Sequence, residues 1–255
     1  MRKLLLTLFL SILFIGCATT PMTDRKQVVF ISTENEIAMG EEAFREVLAT
    51  STLSTDKEKI AMVERVGHRL AAQVDADFNW EFALIESDQI NAFCLPGGKV
   101  GIYTGILDVT ETEDGLAVVM GHEIAHAIAR HGAERMSQNM ILGLGAIALG
   151  LSTDSGDRAK YLAAYGVGSA VVVALPYSRK HEYEADYIGL ILMAKAGYDP
   201  NEAVTFWQRM SEAKGGGGSN LAEFISTHPA DDNRIEKLEA YMPEAMNYYK
   251  ASIHR

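Results

Sequence analysis

Cysteine is scarce in this 255-residue chain: only Cys17 and Cys94 occur. That excludes a disulfide-stapled scaffold, so the fold must rest on an apolar core, for which 48% hydrophobic residues are ample in one domain. Positive charge is short as well. Lys and Arg number 23 against 34 Asp and Glu, a net charge of −11, and no basic patch with interleaved aromatics relieves it. Nucleic acid is thereby excluded as a partner. Long apolar runs are missing too: those at 4–15, 140–151 and 162–175 all fall short of the about 20 residues that span a bilayer.

What is present begins with an address. Arg2 and Lys3 precede the 4–15 run, the form of a secretory signal that the mature protein lacks. Phe14-Ile15-Gly16-Cys17 resembles a bacterial lipobox, with Phe14 where Leu is usual. It implies Cys17 as a lipid-modified N-terminus, and Ala18 after it resembles lipoproteins sorted to the outer membrane. Ordinary cleavage nearby, with Cys17 lost or left free, is the alternative. The expected organisation is a lipoprotein signal peptide at 1–16, a lipid-anchored tether and extended segment at 17–31, and a single enzyme domain at 32–255. Cys94, in an alternating apolar segment, reads as a buried strand residue and not a nucleophile.

The most informative residues are His122-Glu123-Ile124-Ala125-His126, an HExxH inside an apolar, helix-forming run. On a helix the two histidines differ by about 40° and rise about 6 Å, so both imidazoles can reach one metal ion. Glu123 sits about 100° round from His122, poorly placed as a ligand but able to reach a water at the metal. That is the arrangement of a zinc hydrolase. The bland alternative is a helix with two incidental histidines.

A third ligand must come from elsewhere. His131 lies about 140° off the metal face. A metzincin would place Gly three residues after His126 and a ligand six after it, but Ala129 and Gly132 stand there. Glu182 and Asp186, four apart, present one carboxylate to a metal and a second one turn later for the ring N–H of a ligating His. Glu184 points away, and His181 is a possible ligand that lacks a carboxylate at the matching spacing. Taken alone, the segment reads as a solvated charged helix start.

The segments HEIAHAIARHGAER, SRKHEYEAD, Ser226-Thr227-His228-Pro229 and INAFCLPGGKVGIYTGIL, in that family's order, resemble metallopeptidase family forty-eight. This is the group of the CAAX prenyl proteases, HtpX and the mitochondrial Oma peptidases, and the likeness extends to its bacterial periplasmic BepA-like and LoiP-like lipoproteins. It covers about 21–234. The resemblance implies an α+β, mainly helical fold of the zincin type (gluzincin-like), with a small β-sheet beside the HExxH helix. It also implies one zinc ion per chain on His122, His126 and Glu182, catalytic Glu123, and Asp186 bracing a ligand ring. His228 could donate to the developing oxyanion, or occupy the open zinc position and keep the site latent; Arg234 supports the site or the fold.

Between these motifs, Thr33-Glu-Asn-Glu36 and Thr55-Asp-Lys-Glu58 have capping-box form, predicting helices at 33–49 and 55–74. Short strands are expected at 80–87, 90–95 and 100–103 with a turn at 96–98, the metal helix at 113–137, and a flexible loop at 215–218. The 91–99 strand is a candidate edge for an extended peptide substrate; a hairpin that only packs the core is the alternative. The runs at 140–151 and 162–175 suggest a helical pair covering the cleft, or a surface touching lipid or unfolded outer-membrane protein. The expected function is zinc-dependent hydrolysis of misfolded or stalled envelope proteins, as quality control on the periplasmic side of the bacterial envelope, anchored by lipid to the outer membrane. A chaperone-like or assembly role in the same cleft, with little hydrolysis, is the alternative. A purely structural zinc would need four protein ligands and no Glu123.

Overall fold

The computed structural model describes residues 17–154, 156–169, 175–214, 224, 226–228 and 232–254. The expected leader at 1–16 and loop at 215–218 lie outside them. In chain order the elements are β1 (Cys17–Thr19), β2 (Lys26–Val28), α1 (Thr33–Thr50), α2 (Lys57–Ala71), β3 (Glu81–Ile85), β4 (Ala92–Leu95), β5 (Lys99–Tyr103), α3 (Thr104–Thr110), α4 (Glu113–Ile128), α5 (His131–Ser152), α6 (Arg158–Ser169), α7 (Leu175–Lys195), α8 (Asn201–Lys214) and α9 (Asp232–Ile253). The architecture is mainly helical with small sheets, as expected. The described residues of Met1–Thr33 and Arg130–His181 form one compact unit, and those of Glu34–Ala129 and Glu182–Arg255 another.

In the smaller unit, β1 and β2 pair antiparallel in a hairpin at positions where a tether was expected. The Thr20 hydroxyl accepts the Arg25 N–H at 3.1 Å and steadies its turn. Phe30 N–H donates to Ser137 Oγ at 2.9 Å, and the Arg130 guanidinium donates to the Ile31 carbonyl at 2.8 Å. Arg130 itself has φ 58°, so the helix expected over 113–137 is in fact two, broken between Ile128 and His131. The left-handed region costs a non-glycine residue about 1–2 kcal/mol, and Arg carries no sequence signal for it. Of the apolar stretches, Leu144, Ile147 and Leu151 stand 67%, 61% and 81% exposed on α5. No described helix is long and apolar enough to cross a membrane.

The buried core of this unit is ionic. Arg25 grips both oxygens of Glu134, at 3.0 and 2.7 Å, and His181 Nε2 lies 2.8 Å from the same carboxylate. The His131 ring stacks on His181 at 4.2 Å. Burial alone would raise the Glu134 pKa, but hydrogen bonds from His181 and Arg25 outweigh it and hold the carboxyl down at about 2. A carboxylate depressed on folding stabilises above its unfolded pKa of about 4.5, and that contribution is lost as pH falls through about 2. Between pH 5 and pH 2 the thermal midpoint should therefore drop more steeply in the wild type than in Glu134→Gln. Parallel curves by circular dichroism would contradict this account.

The larger unit carries a three-stranded sheet in the order β3-β5-β4. β3 runs parallel to β5, from Glu81 opposite Lys99 to Ile85 opposite Tyr103. β4 returns antiparallel to β5 through a turn whose Gly97 and Gly98 both have φ near +80°, a conformation that favours residues without Cβ. Asp56, one residue after the expected cap, caps α2 by accepting the Glu58 and Lys59 N–H groups. Thr112 caps α4 by accepting from Gly115 N–H at 3.0 Å.

From Gly115 to Ala125 every residue of α4 is buried, so this helix is the axis of the core rather than a surface element. β4 packs along it. Leu116, Met120 and Ile124 share one buried cluster with Ile188, Ile191 and Leu192 of α7, Phe206 of α8, and Val66 and Leu70 of α2. At one point α4 and α7 touch backbone to backbone. A Cβ on Gly189 would lie 2.8 Å from Gly121 C and His122 N.

Candidate metal centre

That glycine crossing sets the site. It brings α7 against α4 at the level of His122, so Glu182 and Asp186 reach the HExxH face. His122 Nε2 lies 3.0 Å from His126 Nε2 and 3.3 Å from Glu182 Oε2, and His126 Nε2 lies 3.3 Å from Glu182 Oε1. His228 Nδ1 stands 3.1 Å from His122 Nε2 and 3.0 Å from Glu182 Oε2. Ligands about 2.0–2.1 Å from a tetrahedral zinc are about 3.3 Å from one another. Five of the six donor pairs have nearly that spacing, all four donors lie within 4.8 Å of one another, and together they could hold one metal ion.

Two further observations fit a metal. Ring nitrogens of three histidines face one another and a carboxylate, an arrangement without enough protons to satisfy all as hydrogen bonds. Glu123, buried beside them, leaves Oε1 with no hydrogen bond, although His228 Nε2 is 3.4 Å away. An orphaned buried carboxylate oxygen is costly unless a water or ligand meets it.

Behind the donors runs a line of support. Asp186 Oδ1 sits 2.9 Å from His122 Nδ1. Arg234, 1% exposed, grips Asp186 with Nε at 2.7 Å and Nη2 at 2.6 Å and places Nη1 3.3 Å from Glu182. Burial would push the Asp186 carboxyl up, but the Arg234 charge and the His122 hydrogen bond hold it below its usual range. Burial likewise works against ionised Glu182, and hydrogen bonds from His122 and His126 prevail. The His122 ring, pushed down by burial, is carried up to about 9 by hydrogen bonds to Asp186 and Glu182. The Glu123 carboxyl is raised, by burial, with His228 and His122 partly offsetting it.

Every site residue named from sequence within the larger unit converges here: His122, Glu123, His126, Glu182, Asp186 and His228. His131 and His181 belong to the Glu134 cluster instead. Cys94 lies in β4, its thiol pushed up by burial, which suits a packing residue and not a nucleophile. Sequence reasoning missed Trp207. Its ring lies 3.6 Å beneath the Arg234 guanidinium and edge-on to His122 at 6.2 Å. An aromatic on an amphipathic helix reads as ordinary core, so no local signal marks it.

Comparison with known proteins gives the site its context. The description Peptidase family M48 matches residues 57–242. The mitochondrial metalloendopeptidase OMA1 of Schizosaccharomyces pombe is 41% identical over 233 residues, covering 88% of this chain and 66% of that protein. The human mitochondrial metalloendopeptidase OMA1 is 32% identical over 253 residues, 94% of this chain and 48% of its own. The β-barrel assembly-enhancing protease of Yersinia pestis is 29% identical over 213 residues, 80% of this chain and 43% of its own. The chain thus spans about half to two-thirds of the length of these relatives.

The expected location on the periplasmic side of the bacterial envelope, lipid-anchored to the outer membrane, is corrected by these matches. The relatives of higher identity are named as mitochondrial enzymes, and that finding overturns the expectation. The expectation rested on a short leader, and leaders are addresses read by receptors that leave little imprint on a fold. The likeness to the bacterial lipoprotein branch is accordingly the more distant one. HExxH on α4, the Glu182–Asp186 pair on α7 and a family match over most of the sequence lead to one assignment: the chain belongs to peptidase family M48, the zinc-dependent metallopeptidases.

Proposed function

We propose that the chain is an endopeptidase held latent by its own His228. Zinc would be held by His122, His126 and Glu182, and His228 Nδ1 would close the position that catalysis needs open. The carrying observation is the His228 spacing: 3.1 and 3.0 Å from His122 Nε2 and Glu182 Oε2, which are themselves 3.3 Å apart. Four protein ligands close a zinc site, whereas catalysis leaves one position open.

With His228 withdrawn, a zinc ion held there would supply Lewis acidity to the scissile carbonyl and to the attacking water. Glu123, its proton affinity raised by burial, takes the water's proton and passes it to the leaving nitrogen. Asp186 keeps the His122 ring oriented through Nδ1, and Arg234 keeps Asp186 ionised. The free edge of β4, beside α4, holds the substrate as an added antiparallel strand. The substrates are misfolded or stalled proteins, and the role is quality control.

The test is His228→Ala on the zinc-loaded full chain, read by metal analysis and casein cleavage. The latch predicts one zinc per chain in both forms and cleavage several-fold faster in the variant. A fall to background with zinc retained would instead make His228 an oxyanion donor. No cleavage by either zinc-loaded form would overturn the endopeptidase reading.

A further inference from the structure

We propose that the outer edge of β3 is a second polypeptide-binding site, remote from β4 in the sheet order. It would take an extended segment that carries an apolar side chain next to a Lys or Arg.

β3 pairs with β5 on one side only. Glu81 N–H donates to Gly98 C=O in the parallel ladder, so residues 81, 83 and 85 turn their backbone groups toward β5, and Phe82 and Leu84 turn theirs outward. The chain itself uses half of that outer edge. Ser54 N–H donates to Leu84 C=O, Glu86 N–H donates to Thr52 C=O, and Leu53 bridges Ile85 antiparallel. Continued for two residues, this added strand would place Asp56 opposite Phe82 and satisfy its N–H and C=O. Asp56 instead caps α2, and its carbonyl accepts from Ile60 N–H inside the helix. The edge is therefore built to receive an antiparallel strand and is left open at Phe82.

A groove of about 430 Å³ lies along the vacated edge. Four consecutive residues, Glu81 to Leu84, line it, which alternating side chains alone would not do; the backbone edge itself is a wall. Phe44, Leu48 and Leu53 supply an apolar floor, with Leu53 45% exposed. Glu64, His68 and Glu81 are the titratable groups on the lining; Glu81 is already paired with the Lys99 ammonium, so exposed Glu64 is the acidic group of the rim, and among the described residues no Lys or Arg lines it. The charge complement of that rim is a basic residue beside the apolar one. Edge backbone gives affinity in such sites, and pocket and rim give selectivity.

The test reads binding without cleavage, so its failure is separable from failure of the peptidase reading. Zinc-loaded full chain carrying Glu123→Gln is titrated into a fluorescein-labelled Leu/Thr/Lys peptide. Three companions complete the set: the same peptide with one strand-face amide N-methylated, a Lys→Glu peptide, and protein that also carries Glu64→Lys. Glu64 is exposed and outside the catalytic machinery, so hydrolysis of a short chromogenic peptide by otherwise wild-type Glu64→Lys protein should be unchanged. The proposal expects saturable binding, weakened about tenfold or more by N-methylation, by Lys→Glu and by Glu64→Lys. Absence of binding, or binding indifferent to N-methylation and to Glu64→Lys, overturns it. Concentration-dependent dimerisation abolished by Glu64→Lys would give the edge to a second copy and also overturn it.

Discussion

Glu123→Gln protein should keep its zinc and lose about 10²–10⁴-fold in peptide hydrolysis, the range that a positioned general base contributes. The amide has the shape of the carboxylate, and Glu123 is not among the four converging donors, so metal content should stay at the wild-type value. What disappears is the proton acceptor. Burial raises the Glu123 carboxyl toward the operating range of a base, and its Oε1 has no hydrogen bond to lose. Because the proposed His228 latch would lower the starting rate, the comparison is clearest in a His228→Ala background. Metal analysis with casein cleavage settles the outcome. Full activity in the variant would sink the peptidase reading, and full function in cells without hydrolysis would favour a client-holding role for the same cleft.

Gly189→Ala should cost both the fold and the metal. The added methyl would meet Gly121 C and His122 N at 2.8 Å, backbone atoms that cannot swing aside. Relief requires α7 to move from α4, and those helices carry Glu182 and His122. Overpacking of this kind costs about 1–3 kcal/mol. Metal sites tolerate only about 0.5 Å of displacement, so zinc affinity should fall by about 10–100-fold, the scale found when ligand-orienting groups are removed. Chelator competition and chemical unfolding measure the two effects. Gly132→Ala is the matched control, since a Cβ there meets nothing within 4 Å. If both variants hold zinc equally, the crossing does not set the site.

Much of the centre was legible because helical spacing writes geometry into sequence. His122 with His126, and Glu182 with Asp186, are each four apart, and four residues on a helix define a face without knowledge of the fold. Asp186 meets His122 Nδ1 as that spacing implies. The helices and hairpin near the site were legible for similar reasons, from caps and from the Pro96-Gly97-Gly98 turn. Other features depend on partners distant in sequence. Nothing local says that Gly121 faces Gly189, that Trp207 lies under Arg234, or that β5 inserts between β3 and β4. The break at Arg130 was hidden because the residue in the left-handed region is not glycine and the glycine nearby, Gly132, lies two positions on, inside the next helix. The location failed for a different reason: it was read from a leader, which carries no packing constraint.

The make-up of the centre has one more consequence. Its donors are imidazole and carboxylate, with no sulfur among them, and the free thiol of the described chain, Cys94, is held protonated within β4. Thiolate ligands are the usual point of attack for peroxide, and their oxidation releases the metal. Here an oxidant finds no such handle.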